Sequence, residues 1–548
     1  MFGNRLEQQQ PNQTASHSFF SGANKNDPKQ IYNWKIYVLT ATACMGGFLY
    51  GYDSGVMGGI LALKSFKTSF NLLDLNATEL ANQSANIVAM LQAGAFFGSL
   101  LVGPISDRWG RKPCLMAGAV IFIIGSIMQV VSAPHVGLLM GGRVIGGLGV
   151  GVCSTLAPLY TSENVPKAIR GRLTACYQLF IQVGLLISFW INYGMSVNYP
   201  SVALQWKTSI AIQIVPGALL LFGMIPLRES PRHLLRSGRP EPALEVLSWL
   251  RSLPPTHPYV ESEYVEMQTQ MESDELVGRS TPWQLYKEAF LVRSNQKRLA
   301  LGLGVMVLQQ LMGVNAINYY SPQIFQNLGL TGVTVSLFAT GIYGVVKVVS
   351  SLAFALFLAD TLGRRISLIW TATGQAFCLY YVGAFVKIVN PTQETKVQAA
   401  GYVALVCIFL YIVFFEFGWG PVPWIYNAEI HSSRLRGTCL GLAAAVNWLF
   451  NFVVSRATPV MLTTMGRGGY GTFLLYGSFC VVCIIFAVLF CPETKGMSLE
   501  EMDDFFGTTS PVDVELGARG AVHDEDAEAE KDGEERIENS GDSSHKKP

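Results

Sequence analysis

One carboxylate, Asp53, stands in the middle of MGGFLYGYDSGVMGGI (residues 45–60), a stretch otherwise apolar and rich in glycine. At the centre of a bilayer such a group costs roughly 2.5–3.5 kcal/mol on insertion scales, so an acid kept there is a candidate for proton uptake and release. Arg143, within MGGRVIGGLGVGV, is a second intramembrane charge. A buried guanidinium needs a partner, and Asp53 is the acid available in the same half of the chain. A motion that parts the two changes the proton affinity of Asp53 and so ties proton binding to conformation. A static ion pair that fixes helix register is the plainer alternative.

Amides and aromatic rings form the other chemical group. Gln178 and Gln182 lie four residues apart on one helical face. Gln309, Gln310, Asn315, Asn318, Tyr319 and Tyr320 crowd ahead of Pro322, Trp424 ends GPVPW, and Asn447 and Asn451 again share a face. Such a set suits a ligand rich in hydroxyls, although any single amide also serves as an interhelical hydrogen bond. Glu416 and Lys347 are further charges inside apolar runs. Lys347 either faces a cavity, where it neutralises a carboxylate on the substrate, or pairs with Glu416 or another acid, or reaches a water-filled vestibule.

The elements that carry these residues are membrane spans. The chain has 548 residues, 50% of them hydrophobic and only 14% charged, where a soluble domain has roughly 25% charged. Apolar runs long enough to cross a bilayer begin near Tyr37, Ala85, Pro113, Val136, Leu173, Thr208, Arg298, Val333, Ile366, Ala399, Thr438 and Tyr470. The first ~30 residues are polar, so no cleavable signal is expected and the first span serves as its own.

Alternate loops carry Arg108, Arg111 and Lys112; Lys167, Arg170 and Arg172; Arg364 and Arg365; Arg434 and Arg436. The excess of bases puts these loops and both termini in the cytoplasm. Asn76 and Asn82 then head sequons in the first external loop, as glycosylation acceptors. The ten cysteines have no framework spacing and read as small apolar helix residues. No metal, cofactor or nucleic acid is expected, and the net charge of +1 says nothing about partners.

The sequence also repeats itself. GPISDRWGRK returns as FLADTLGRR, moving Asp107 to Asp360; PLYTSENVPKAIRG returns as WIYNAEIHSSRLRG, so that Glu163 and Arg170 are echoed by Glu429 and Arg436; LRESPR returns as CPETKG, moving Glu229 to Glu493. The near-constant offset implies two six-span halves. The expected fold is all-α, with twelve transmembrane helices in two pseudo-symmetric six-helix bundles. The boundaries are a cytoplasmic tail 1–33, bundles 34–227 and 298–492, a helical cytoplasmic linker 228–297, and an acidic, disordered cytoplasmic tail 493–548. Such bundles with a site between them suit alternating access, in which one rocks against the other. The loop acids and bases (Asp107, Arg108, Arg111, Glu163, Arg170, Arg172, Asp360, Arg364, Arg365, Glu429, Arg434 and Arg436) can then latch the bundles in one state and part in the other.

GPISDRWGRK, GGRVIGGLGVG, ENVPKAIRGRL, RESPRHLL, QQLMGVNAINYYSP, GPVPW and PETKG, in that order, resemble the sugar porter family of the major facilitator superfamily, from about Tyr32 to Glu500. IYNWKIY followed by GYDSGVMGGILALKSFKTSF is similar to fungal carriers of hexoses, quinate and galacturonate. The resemblance implies that Asp53 and Arg143 form the acid–base pair of proton-coupled members, which passive facilitators tend to lack. It implies sugar contacts at Gln178, Gln309, Gln310, Asn315, Trp424 and Asn447, with Gln182, Asn318 and Asn451 as less close matches, and a gating acid at Glu416; Tyr320 joins the substrate-binding candidates on its residue type and place in the seventh span. Lys347 departs from the common pattern and would suit a quinate or a uronate.

The expectation is therefore a monomeric, multi-pass plasma-membrane transporter, not an enzyme. It carries a hexose or a related sugar acid (galacturonate, quinate) into the cell with a proton, and its partners are the small molecule, the proton and the lipid bilayer. Facilitative uniport and a transporter-like nutrient sensor are the alternatives.

Overall fold

The first span begins where the side chain of Asn33 accepts from the backbone N–H groups of Lys35 and Ile36 at 3.0 and 3.4 Å, as an N-cap does. The computed structural model describes residues 28–276, 282–358, 362–391, 399–431, 435–495, 502 and 505–506. The first helices are α1 (Trp34–Ala62), α2 (Lys64–Ser69), α3 (Ala77–Trp109), α4 (Arg111–Val130), α5 (Val136–Asn164), α6 (Lys167–Asn198), α7 (Leu204–Ala211) and α8 (Ile214–Met224). The linker supplies α9 (Pro231–Arg236), α10 (Pro240–Arg251), α11 (Pro258–Leu276) and α12 (Pro282–Leu291). Each of these four opens on a proline, whose fixed φ and missing N–H suit a first helical turn. Then follow α13 (Arg293–Leu311), α14 (Val314–Asn327), α15 (Val333–Ala353), α16 (Arg364–Val389), α17 (Ala399–Phe417), α18 (Val422–Ile430), α19 (Arg436–Thr464) and α20 (Tyr470–Phe490).

Eleven segments, counting α7–α8, α13–α14 and α17–α18 as one each, are long and apolar enough to cross a membrane. The twelfth, α1, has the length, 29 residues, but its tyrosines, glycines and Asp53 dilute its apolar character. Every span starts at, or a few residues before, the position read from the sequence, because helices extend through polar turns that hydropathy does not score. Residues 1–27, nearly all of the acidic tail, Asp360 and Arg434 lie outside the described residues.

By proximity the chain forms two compact units, neither of them one continuous stretch: Met1–Asp74, Ile105–Met267 and Gly332–Thr361, and Leu75–Pro104, Gln268–Thr331 and Leu362–Pro548. In the first, α1 lies along α6, α4 along α5, and α15 along α6. Close approach requires glycine here: a Cβ on Gly51 would overlap the carbonyl of Ile181, and one on Gly125 the backbone of Gly146. In the second, α13 packs on α19 and α16 on α17 and α20. Two of its spans are broken. Gly313, at φ 91°, separates α13 from α14, and a turn through Gly418 and Gly420 separates α17 from α18.

Candidate proton and substrate site

In the first unit, Arg143 Nη1 donates to Asp53 Oδ1 at 2.9 Å, and both side chains are buried, at 1% and 0% exposure. The glycine contacts position them: α1 is drawn against α6, α5 against α4, and α1 also meets α5. The pair read from the sequence is thus a direct, buried ion pair. Among the described residues nothing hydrogen-bonds the second carboxylate oxygen, Oδ2. Gln182 and Lys347 are buried and Gln178 half-buried in the same unit.

In the second unit the amides form a chain. Gln309 Nε2 donates to the carbonyls of Trp419 and Gly420 at 2.7 and 3.0 Å; Asn447 Nδ2 donates to Gln309 Oε1 at 2.7 Å; Gln310 Nε2 to Asn447 Oδ1 at 3.0 Å; Asn315 Nδ2 to Gln310 Oε1 at 2.7 Å; and Asn318 Nδ2 to Asn315 Oδ1 at 3.0 Å. Five side chains therefore point their donors the same way, toward carbonyls freed where the tenth span breaks. Tyr319 OH donates to Asn451 Oδ1 at 3.1 Å and Tyr320 OH to the Ser455 carbonyl at 2.8 Å. Glu416 is buried and Trp424 is 38% exposed. An array of amides beside two helix breaks can exchange its internal hydrogen bonds for those of a polyol.

The repeated loop motifs pair differently from their spacing in sequence. Arg111, not Arg170, holds Glu163, at 3.3 Å, and also Asp107, at 3.0 Å; Arg364, not Arg436, holds Glu429, at 2.8 Å. Arg436 instead donates to the His431 carbonyl. Arg108 and Arg172 are exposed, while Arg170 and Arg365 are half-buried.

Two acids that the sequence offered only as an echo prove to be caps. Glu229 accepts from the backbone N–H groups of Arg111 and Lys112, and Glu493 from those of Arg364 and Arg365, each at the positive end of a helix. The repeated RES and PET were the signal for them.

The two sequons differ. Asn76 is an exposed cap of α3, reciprocally bonded to Glu79. Asn82 lies inside α3 rather than in a loop, and its Oδ1 accepts from Arg456 Nη2 at 3.1 Å.

Twelve spans, broken helices lined with amides and a buried acid–base pair define a membrane transporter of the major facilitator fold rather than an enzyme. The chain belongs to the Sugar (and other) transporter family, whose model matches residues 39–506. It is 40% identical over 484 residues to the quinate permease of Emericella nidulans, covering 87% of this chain and 90% of that protein. It is 41% identical over 485 residues to the probable quinate permease of Neosartorya fischeri, covering 87% and 89%. Among solved structures it is similar to the proton:xylose symporter XylE bound to 6-bromo-6-deoxy-D-glucose, with 28% identity, a TM-score of 0.71, and coverage of 86% of this chain and 99% of that one. A partially occluded inward-open conformation of XylE from E. coli matches with a TM-score of 0.70.

Proposed function

We propose that this chain is a plasma-membrane proton symporter that brings a quinate-like polyhydroxy acid, or a monosaccharide of similar size, into the cell by alternating access. The observation that carries proton coupling is the buried Asp53–Arg143 pair. A motion that parts the carboxylate from the guanidinium changes its proton affinity and so ties proton binding to conformation. The names of the relatives support the substrate class, and the proton symporter among the similar structures supports the coupling. The amide chain offers the hydroxyl contacts. Lys347, buried within its span, supplies a positive charge suited to a carboxylate. The halves 34–227 and 298–492 act as the moving bodies, with the Arg111 and Arg364 networks as cytoplasmic latches.

Uptake of labelled quinate, galacturonate and hexoses by proteoliposomes, with and without an imposed proton gradient, tests this reading. Asp53→Asn is expected to abolish accumulation above equilibrium while exchange persists; uphill uptake undiminished in that variant would overturn proton coupling. Lys347→Ala is expected to lose acids selectively, and equal losses for acids and neutral sugars would make Lys347 structural.

A further inference from the structure

A further cation in the spans, beyond Arg143 and Lys347, has no part in the scheme so far. Arg456 lies within α19, eight residues before its end at Thr464. A guanidinium inside a membrane segment is costly and calls for a compensating partner. Its hydrogen-bond partner is neutral, the amide oxygen of Asn82 on α3, at 3.1 Å. Among the described residues Arg456 makes no ion pair, and its remaining nitrogens are neither hydrogen-bonded nor sealed from solvent. Its charge is therefore held in place but not neutralised. With a rise of 1.5 Å per residue, it stands about 14 Å along α19 from Asn447, on the side that the distribution of bases puts outside. The adjacent residue, Ser455, anchors Tyr320.

We propose that Arg456, positioned by Asn82, recognises the carboxylate of an acidic substrate as it enters toward the amide chain. This rests on the reading of the chain as a carrier of polyhydroxy acids. An arriving carboxylate accepts charge-assisted hydrogen bonds from the open face of the guanidinium, stronger than the one Asn82 supplies. The same sequon asparagine is consequently engaged with Arg456 rather than presented as a free acceptor for a glycan.

The test is uptake kinetics of labelled quinate in a transport-null yeast host, with surface abundance measured, and with methyl quinate, the neutral ester, as a competitor. Arg456→Gln is expected to raise the KM for quinate about tenfold or more, with maximal rate and the inhibition constant of the ester unchanged within about twofold. Arg456→Lys, which keeps the charge but loses the planar fork, should fall between. Asn82→Ala should shift quinate modestly and spare the ester. Equal weakening of acid and ester, or no change in either, would make the Arg456–Asn82 contact purely structural and overturn the proposal. A wild-type protein that neither carries quinate nor is inhibited by it, while taking up a hexose, would overturn the acid-carrier reading and this proposal together.

Discussion

A chain of side-chain amides is only as strong as its links. Gln310 occupies the middle, donating to Asn447 and accepting from Asn315. Truncating it leaves a buried acceptor and a buried donor unmatched, each worth roughly 1–3 kcal/mol. Asn318, at the far end, joins the chain by donating to Asn315. Gln310→Ala is expected to raise the KM for transported substrate about tenfold or more, and Asn318→Ala only about threefold. Transport kinetics at matched surface abundance check this, and equal effects would show that the amides act separately. The identities of these residues, and of Asp53 and Arg143, were legible in the sequence because polar atoms among apolar runs are conspicuous. The carbonyls of Trp419 and Gly420 were not, since which backbone oxygen loses its helical partner depends on where the helix breaks. Arg456 escaped notice because a cation near a span end looks like an anchor until its neutral partner is seen.

At the scale of elements, the sequence located all twelve spans but not how their ends are tied. Glu229 and Glu493 cap α4 and α16 from residues distant in sequence, a tertiary relation whose acids the repeated RES and PET mark but whose partners they do not name. Glu163 and Arg170 recur together as Glu429 and Arg436, yet Arg170 is not the base that holds Glu163. Arg111 wins instead because it reaches Glu163 and Asp107 together. The end of α18 carries a measurable consequence. His431 is buried there, and burial, followed by the guanidinium charges of Arg298 and Arg436, pushes its pKa from 6.5 down to about 4. The unfolded chain therefore takes up this proton first as pH falls. The stability His431 contributes is complete above pH 6.5 and is lost progressively on acidification toward 4. Thermal unfolding of the detergent-solubilised protein should show a midpoint that declines across this window. His431→Gln should decline less steeply, and an identical slope in the variant would remove His431 from the account.

For the whole molecule, charge conservation turns the identity of the substrate into an electrical measurement. One proton moving with a neutral sugar transfers one positive charge per cycle. A potential of 100 mV then supplies about 2.3 kcal/mol, or roughly 50-fold accumulation, and each pH unit about tenfold more. One proton moving with a singly charged carboxylate transfers no net charge. The potential then does nothing, and only the pH difference, at about tenfold per unit, drives accumulation. Under the proposed coupling both cases alkalinise the outer medium, because a proton enters with the substrate either way. In proteoliposomes with the potential clamped by potassium and valinomycin, quinate accumulation is therefore expected to follow the pH gradient and ignore the potential, while a transported hexose responds to both. A quinate uptake that rises with an inside-negative potential would require at least a second proton per cycle, and the Asp53–Arg143 pair alone would then no longer suffice as the coupling device.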